Sequence, residues 1–215
     1  MIEAIIFDMD GVLVDSEPIN SEIEKRQFLL NNLSISEEEH QQYLGVSSEK
    51  MWKEIAQKHE LNLPVDRLIE QNKTESLRYF SELDEIPVMP GLINFLKKLQ
   101  DKNFPMAVAS SADPEIIEII LNKTGIRKYF QETVSAKEAG KSKPEPDIFF
   151  LAAQKLGANP NFCLVIEDSE NGIEAAHRAR MRVIAYQGPN ANPAKQKEAD
   201  AVVKSYQQLE MFIKD

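Results

Sequence analysis

Short apolar runs alternate with helical segments along most of the chain, and this alternation constrains the fold more than any other feature. The first run, residues 2–7, is β-branched and aromatic, and comparable runs follow at 105–110, 133–134, 162–167, 182–186 and 201–203. Helix-period segments separate the later runs, at 91–102, 114–123, 146–156 and 170–180. This alternation predicts an α/β fold with a doubly wound parallel sheet that helices cover on both faces.

Residues 16–86 interrupt the alternation with charged segments of helical period and hardly any strand signal. The segments run from Glu17 to Leu33, Glu37 to Leu44, Glu49 to His59 and Val65 to Leu83. Ser47 and Pro64, just before the last two segments, are typical of helix starts. We therefore predict an inserted all-helical domain over 16–86, with 1–15 and 87–215 together forming the α/β domain.

Charge and apolar run length exclude several classes of protein. The net charge of −10, without a Lys/Arg stripe, argues against a nucleic-acid partner. No apolar run reaches the roughly 18 residues of a membrane span, so no membrane association is expected. No basic segment precedes Ala4–Phe7, so we predict no secretory signal and a cytoplasmic location. We also expect a monomer. The apolar surroundings of Cys163 predict a packing thiol, and His40, His59 and His177 are interpreted as surface residues.

Two acids and a glycine directly follow the first apolar run, as Asp8-Met9-Asp10-Gly11. Open α/β sheets bind ligands at the C-terminal ends of their strands. Two carboxylates separated by one residue suit a nucleophile and a general acid/base that act on one phosphoryl group. A solvated turn is the alternative interpretation of these four residues.

Hydroxyl and ammonium groups follow later strands. Ser110 ends the run 105–110 and Ser111 follows it, just before a helix, where hydroxyls and helix-terminal amides can bind a phosphate. Lys143 lies in a proline-containing segment before the next helix and can neutralise phosphate charge. Helix capping by Ser111 or Asp113, and an ordinary solvated lysine, are the alternatives.

Glu167 ends the run 162–167, and Asp168 directly follows it. Adjacent buried acids repel each other unless a cation lies between them. Hard oxygen ligands without a neighbouring His or Cys cluster favour Mg²⁺ over Zn²⁺. Capping of the next helix by Asp168 or Ser169 is the alternative. Because all these motifs follow predicted parallel strands, we expect them to converge on one edge of the sheet.

The motifs Asp8-x-Asp10-Gly11, Ser110, Lys143-Pro144 and Glu167-Asp168, in this order, resemble the four motifs of the haloacid dehalogenase-like (HAD) hydrolase superfamily. The similarity spans nearly the whole chain. The helical insertion resembles the α-helical cap of the branch that contains β-phosphoglucomutase and many sugar-phosphate phosphatases. The resemblance implies a Rossmann-like core with an inserted helical cap.

The resemblance also implies the chemistry of a phosphatase of small phosphorylated metabolites. Asp8 attacks phosphorus and forms an aspartyl-phosphate, while Asp10 protonates the leaving oxygen and later activates water. Ser110 and Lys143 hold the transferring phosphoryl group, to which the pattern of hydroxyls adds Ser111. Phosphoryl transfer needs chiefly positioning and neutralisation of oxygen charge, which fits this set of residues.

The resemblance implies a Mg²⁺ cofactor as well. The Asp8 carboxylate, the Asp10 backbone carbonyl and Asp168 would bind the ion, with Glu167 beside it or reaching it through water. The acids Asp10 and Glu167-Asp168 also argue against dehalogenation, because the dehalogenating relatives need no metal and lack the second aspartate of the first motif.

A phosphosugar mutase is the main alternative, and Leu44-Gly45-Val46-Ser47 in the insertion resembles β-phosphoglucomutase. The mutase's early cap histidine is replaced by Asn20, its phosphate-gripping arginine by Ser48, and its Lys-Asn pair by Asp113-Pro114. These replacements remove donors for a second phosphate, although Lys73 can match a basic cap residue. We therefore favour a hydrolase.

A catalytically silent binding module is the alternative from another class. Loss of Asp8, Lys143 or Asp168 would favour that interpretation, whereas the chain retains all three and so favours an enzyme.

Overall fold

The computed structural model describes residues 2–43, 46–61, 63–189 and 191–213, and in these ranges it places six parallel strands in one sheet. The strands are β1 (Ala4–Phe7), β2 (Met106–Ser110), β3 (Glu132–Ser135), β4 (Cys163–Glu167), β5 (Arg182–Tyr186) and β6 (Ala201–Val203). Their spatial order is β3-β2-β1-β4-β5-β6. The chain therefore winds outwards in both directions from β1, which confirms the predicted doubly wound α/β fold.

The register of the central strands brings their C-terminal ends to one edge. Phe7, the last residue of β1, pairs with Val108 of β2 on one side and Ile166 of β4 on the other. All residues of these three strands are buried, because helices cover both faces of the sheet. The residues that directly follow β1 and end β2 and β4 therefore share the edge where open α/β sheets bind ligands.

In the described residues of the unit Glu17–Asp84, the chain forms four helices. They are α1 (Glu17–Leu30), α2 (Glu37–Gln41), α3 (Ser48–Lys58) and α4 (Val65–Glu82). Helix α4 contacts both α1 and α3. Phe28 of α1 meets Trp52 of α3 edge-on, at 5.6 Å between ring centroids, inside a hydrophobic cluster of this segment. This packing buries the apolar stripes that the helical periodicity predicted.

The helix ends in this segment differ from the sequence-based prediction. Helix α1 ends at Leu30 instead of Leu33, because Asn32 has a positive φ of 53° and the Leu33 N–H turns back to the Phe28 carbonyl, at 2.8 Å. Helix α2 ends at Gln41, short of the predicted end at Leu44, and Leu44 itself lies outside the described residues.

The chain divides into two compact units, Met1–Ser16 with Glu85–Asp215, and Glu17–Asp84. The predicted insertion spans 16–86. The two connections run side by side, since the Asp15 N–H donates to the Pro87 carbonyl at 2.9 Å. The division of the chain into an α/β domain and an inserted helical domain stays a prediction.

Six further α-helices belong to the described part of the sheet-containing unit. They are α5 (Leu92–Asp101), α6 (Pro114–Lys123), α7 (Ala136–Ala139), α8 (Asp147–Lys155), α9 (Glu170–Arg178) and α10 (Tyr206–Leu209). Alternate residues of β1 face different layers: Ala4 and Ile6 join the cluster formed with α8 and α9, whereas Phe7 meets Phe95 of α5 edge-on. Two packed layers of helices therefore fix the sheet that carries the motifs.

Burial tests the predictions for Cys163 and the histidines. Cys163 is buried in the core, which confirms the packing thiol. The prediction for His40 is wrong: it is 3% exposed, lies edge-on to Phe28 and contacts Glu24 Oε2 through Nε2 at 2.6 Å. Glu37 and Glu38 of α2 are exposed, whereas the side chain of His40 packs on α1. No helix in the described ranges is long and apolar enough to cross a membrane.

Candidate active site

Asp8 and Asp10 lie on the turn that follows β1. The Asp8 N–H donates to the Ile166 carbonyl at 2.9 Å and so extends the ladder between β1 and β4 by one residue. The chain then turns sharply, with Gly11 at a φ of 74° and its N–H bonded to the Val14 carbonyl at 2.9 Å. A left-handed residue favours glycine here. The turn allows the two carboxylates to diverge from the direction of the strand.

Lys143 joins the motifs that follow β1 and β4. Its Nζ donates to Asp8 Oδ1 at 2.5 Å, to Glu167 Oε1 at 2.8 Å and to the Ala109 carbonyl at 3.1 Å. The side chain is 5% exposed, so the predicted alternative of a solvated lysine is wrong. Burial alone would lower the pKa of Lys143, but the charges of Asp8 and Glu167 and their hydrogen bonds raise it above its usual value. Lys143 is therefore a fixed ammonium ion beside the Asp8 carboxylate.

Glu167 is fully engaged by protein donors. Its Oε1 accepts from Lys143, and its Oε2 accepts from the backbone N–H groups of Asp168 and Ser169, both at 2.7 Å, and from the Ser169 hydroxyl at 3.0 Å. An added Cβ at Gly172 would lie 1.6 Å from Oε1, so this position accommodates only glycine next to the carboxylate. The arrangement fits a Glu167 that orients Lys143 and the following turn, and the role in metal binding stays a prediction.

Asp168 lies against the turn after β1. An added Cβ at Gly11 would lie 2.2 Å from Asp168 Oδ2, so a side chain there would displace the carboxylate. Burial raises the pKa of Asp168 well above its usual value, and the charges of Glu167 and Asp8 raise it further. The Ser169 hydroxyl accepts from the Gly172 N–H at 3.1 Å, so the predicted capping by Ser169 also occurs.

Two hydroxyl groups contact the Asp10 carboxylate. Ser16 donates to Oδ1, and the Ser110 hydroxyl lies 3.5 Å from Oδ2 while accepting from the Ala112 N–H at 3.1 Å. Burial raises the pKa of Asp10, and these hydrogen bonds offset part of the increase. Ser111 is exposed and takes no part in the described contacts of this cluster. The structure therefore brings together every predicted site residue except Ser111.

The donor chemistry of the cluster fits Mg²⁺. The cluster contains four acids, of which Lys143 bonds two, Asp8 and Glu167. Burial, together with the negative charges of Glu167 and Asp10, raises the pKa of Asp8 although the charge of Lys143 lowers it. A divalent cation would relieve this repulsion. The described residues contain no group of three acid, His or Cys side chains that form a ready-made metal site. The predicted set needs only two carboxylates and a backbone carbonyl, which suits an ion that keeps several waters.

The haloacid dehalogenase-like hydrolase family matches residues 2–180 of the chain. The chain belongs to this family. The match covers the helical insertion and all four motifs, and it confirms both the resemblance seen in the sequence and the prediction of a hydrolase.

Curated relatives and solved structures of HAD-like proteins agree with this assignment. The chain is 32% identical over 182 residues to the fructose-1-phosphate phosphatase YqaB of Escherichia coli K12, covering 84% of this chain and 94% of the relative. It is 30% identical over 178 residues to a phosphorylated carbohydrates phosphatase of Thermotoga maritima, covering 83% and 82%. A crystal structure of β-phosphoglucomutase from Clostridium difficile superposes with a TM-score of 0.84 at 26% identity, covering 99% and 95%. The two named phosphatases agree with the predicted phosphoric monoester hydrolase.

Three residues of the site were missed by the sequence analysis. Ser16 contacts Asp10 although it falls at the edge of the predicted insertion. Gly172 lies inside a helix, where glycine is unfavourable, and that signal can point to a close approach. Gln196 donates to the Asp168 carbonyl at 2.8 Å from a position 28 residues away. No local pattern marks Gln196, since the contact arises only from the fold.

Proposed function

We propose that this HAD-like protein is a Mg²⁺-dependent phosphatase that hydrolyses small phosphorylated metabolites, chiefly sugar phosphates, through an aspartyl-phosphate on Asp8. The observation that carries the proposal is the contact of 2.5 Å between the Asp8 carboxylate and Lys143 at the end of the central strand. A second acid, Asp10, lies on the same turn and is held by hydroxyl groups. A nucleophile, a cation and an acid are the protein groups that phosphoryl transfer requires.

In the first half of the reaction, an Asp8 carboxylate oxygen attacks phosphorus and forms a new P–O bond. The bond from phosphorus to the substrate oxygen breaks, and Asp10 donates its proton to that leaving oxygen. The raised pKa of Asp10 favours the protonated form that this step needs. Lys143 and the Ser110 hydroxyl supply donors for the phosphoryl oxygens, whose charge spreads in the transition state.

In the second half, the ionised Asp10 accepts a proton from a water molecule, and the water oxygen attacks phosphorus. The P–O bond to Asp8 breaks, which releases inorganic phosphate and restores the Asp8 carboxylate. Asp10 ends the cycle protonated, so both halves balance in protons without another group. The family match and the named phosphatases support this hydrolytic sequence.

The proposed Mg²⁺ ligands are the Asp8 carboxylate, the Asp10 backbone carbonyl and the Asp168 carboxylate. Held by these residues, Mg²⁺ would supply positive charge to neutralise the phosphoryl oxygens. The Glu167 hydrogen bonds place Asp168 at the start of α9, and Lys143 balances the remaining negative charge. The cytoplasmic location, the monomeric state and the absence of a nucleic-acid partner stay predictions.

The test is phosphate release from a panel of hexose, pentose and hexitol phosphates, with Mg²⁺ or with EDTA. We expect Mg²⁺-dependent release that Asp8→Asn abolishes. We expect Asp10→Asn to lower turnover by about 10²- to 10⁴-fold, the usual contribution of a general acid/base. Lys137→Met, a change in the short helix α7, serves as the control and should retain activity. Activity in Asp8→Asn equal to that of the wild type would contradict the proposed nucleophile.

A phosphosugar mutase is the second candidate, because the fold superposes on a β-phosphoglucomutase over nearly its whole length. The same samples, incubated with β-glucose-1-phosphate, distinguish the two functions. Fast isomerisation with little phosphate release would favour the mutase. Phosphate release without isomerisation supports the phosphatase, and inertness of the wild type in both assays would favour the catalytically silent module.

A further inference from the structure

Gln196 is a buried amide that binds two backbone carbonyls at the site's edge. It ends the short 3-10 helix Pro193–Gln196, which follows β5, and its side chain is 1% exposed. Its Nε2 donates to the Asp168 carbonyl at 2.8 Å and to the Tyr186 carbonyl at 3.1 Å. Both hydrogens of the amide are thereby used, and the two carbonyl acceptors define which end of the side chain is the nitrogen.

The backbone N–H and the backbone carbonyl of Asp168 are both hydrogen-bonded to side chains. Its N–H donates to Glu167 Oε2 at 2.7 Å, and its C=O accepts from Gln196. Fixing the two ends of a residue fixes its backbone dihedrals and hence the direction of its Cα–Cβ bond. The Asp168 carboxylate has little freedom beyond that, because it lies against Gly11. The amide of Gln196 therefore contributes to where the carboxylate oxygens lie.

The other polar atom of Gln196 is unsatisfied. Within the described part of the chain, its buried Oε1 has no hydrogen-bond partner. An unpaired buried oxygen costs stability, and an apolar side chain of similar size would avoid that cost. The side chain is better explained by its two donated hydrogen bonds than by packing.

We propose that Gln196 is a positioning residue for Asp168 and thereby raises the affinity of the site for a divalent cation. The inference rests on the proposed function, in which Asp168 is a metal ligand. Groups that orient metal ligands typically contribute about 10- to 100-fold in metal affinity. The 3-10 helix after β5 is thus part of the site, although it contributes no group that touches the substrate.

The test measures Mg²⁺ affinity directly, by isothermal titration calorimetry of metal-free protein without substrate. Gln196→Met keeps the size of the side chain and removes both donors. We expect it to bind Mg²⁺ about 10- to 100-fold more weakly than the wild type. We also expect turnover to recover at high Mg²⁺ concentration, because Asp168 itself is still present. An unchanged dissociation constant for Mg²⁺ would overturn the inference.

Matched variants separate positioning from general destabilisation. Gln131 also bonds a backbone group through its side-chain amide, accepting from the Met106 N–H at 2.7 Å at the start of β2, away from the site. Gln131→Met should keep the wild-type affinity for Mg²⁺, and equal weakening in both variants would overturn the inference. Gln196→Ala, which admits a water in place of the amide, replaces Gln196→Met if that variant does not fold, with the same expected weakening.

Asp168→Asn distinguishes failure of the inference from failure of the proposed metal site. If the wild type binds no Mg²⁺, or if Asp168→Asn binds it equally well, the metal site is overturned and the role of Gln196 with it. If binding requires Asp168 but the Gln196 variants bind as the wild type does, only the role of Gln196 is overturned. Weakened binding in the Gln196 variants, together with loss in Asp168→Asn, supports both.

Discussion

At the scale of single residues, the site depends on close approaches that leave no room for larger side chains. Gly11 lies against the Asp168 carboxylate, and Gly172 lies against the Glu167 carboxylate. Neither glycine supplies a chemical group. Their missing side chains allow the turn after β1 and the start of α9 to lie close to the acids. The site therefore requires residues without a Cβ at Gly11 and Gly172 as well as the carboxylates.

Gly172→Ala tests whether the site requires a residue without a Cβ here, through the sign of the change in unfolding free energy. Alanine in place of glycine inside a helix normally stabilises by about 0.5–1 kcal/mol. Here the new methyl group would lie 1.6 Å from Glu167 Oε1, so α9 or the carboxylate must move. We expect a net loss of about 1–3 kcal/mol in the free energy of unfolding, measured in urea, together with reduced activity.

Glu167→Ala combined with Gly172→Ala supplies the control. Removal of the Glu167 carboxylate removes the clash. Adding Gly172→Ala to Glu167→Ala should therefore leave the free energy of unfolding unchanged or increase it. Additive losses in the double variant would show that the methyl group acts through some other contact.

At the scale of secondary-structure elements, the short helix α10 is hydrogen-bonded to the turn that follows β1 and carries Asp10. The Tyr206 hydroxyl donates to the Val12 carbonyl, and its ring stacks on Tyr186 at 4.9 Å between centroids. Tyr206 also packs on Phe95 of α5, at 5.2 Å. A helix of four residues is not stable alone, so tertiary packing maintains it.

Tyr206→Phe should lower stability in a pH-dependent way. At neutral pH, loss of the hydrogen bond to Val12 should cost about 1 kcal/mol of unfolding free energy. Burial, followed by the charges of Tyr186 and Asp168, raises the pKa of Tyr206 well above its usual value. The folded state therefore retains the phenolic proton above about pH 10, where the unfolded chain releases it.

The contribution of Tyr206 is fully present below about pH 10 and is lost as pH rises towards the pKa of the folded state, by up to about 1.4 kcal/mol per pH unit. The difference between wild type and Tyr206→Phe should therefore shrink in alkali. Urea unfolding of both proteins from pH 7 to about pH 11 measures this difference in unfolding free energy. A difference that stays constant with pH would contradict a buried neutral phenol at Tyr206.

The predicted elements of the sheet agree with the structure more closely than those of the insertion. The strand β5 and the helix α6 have the predicted bounds, because the buried apolar run of β5 and the helical spacing of apolar residues in α6 are both strong signals. Helix α7, of four residues, was not predicted, since its Ser135 cap and left-handed Gly140 are local features without periodicity. Helix ends depend on such capping interactions more than on hydrophobic pattern.

At the scale of the whole molecule, one compact unit contains the entire sheet and every residue of the candidate site. Its two chain segments, Met1–Ser16 and Glu85–Asp215, meet beside the insertion, where Asp15 bonds to Pro87 at 2.9 Å. A domain with its own core and adjacent chain ends tolerates excision of what lies between them.

Replacement of residues 17–84 by a short Gly/Ser linker should leave a folded sheet domain. We expect a single cooperative thermal transition and dispersed amide NMR signals, because both helical layers remain. The full-length chain is the reference. A non-cooperative transition with dye-accessible hydrophobic surface would contradict independent folding of this unit.

The sequence alone determined the class of fold and the chemical groups of the site. Its alternation of strands and helices predicted the sheet, and its acids, serines and lysine at strand ends predicted Asp8, Asp10, Ser110, Lys143 and Asp168 as neighbours. These inferences succeeded because hydrophobic periodicity is local and the C-terminal ends of parallel strands share one edge.

Only the tertiary structure decided how those groups are held. It buried the His40 side chain of α2 against α1 and left Ser111 outside the cluster. It also gave hydrogen-bond donors to both carboxylate oxygens of Glu167 and placed the Gln196 amide against the Asp168 carbonyl. Such contacts join residues far apart in sequence, and the geometry of packing sets them, because a hydrogen bond forms only within a few tenths of an ångström of its optimal length. No local pattern of residue types carries that information.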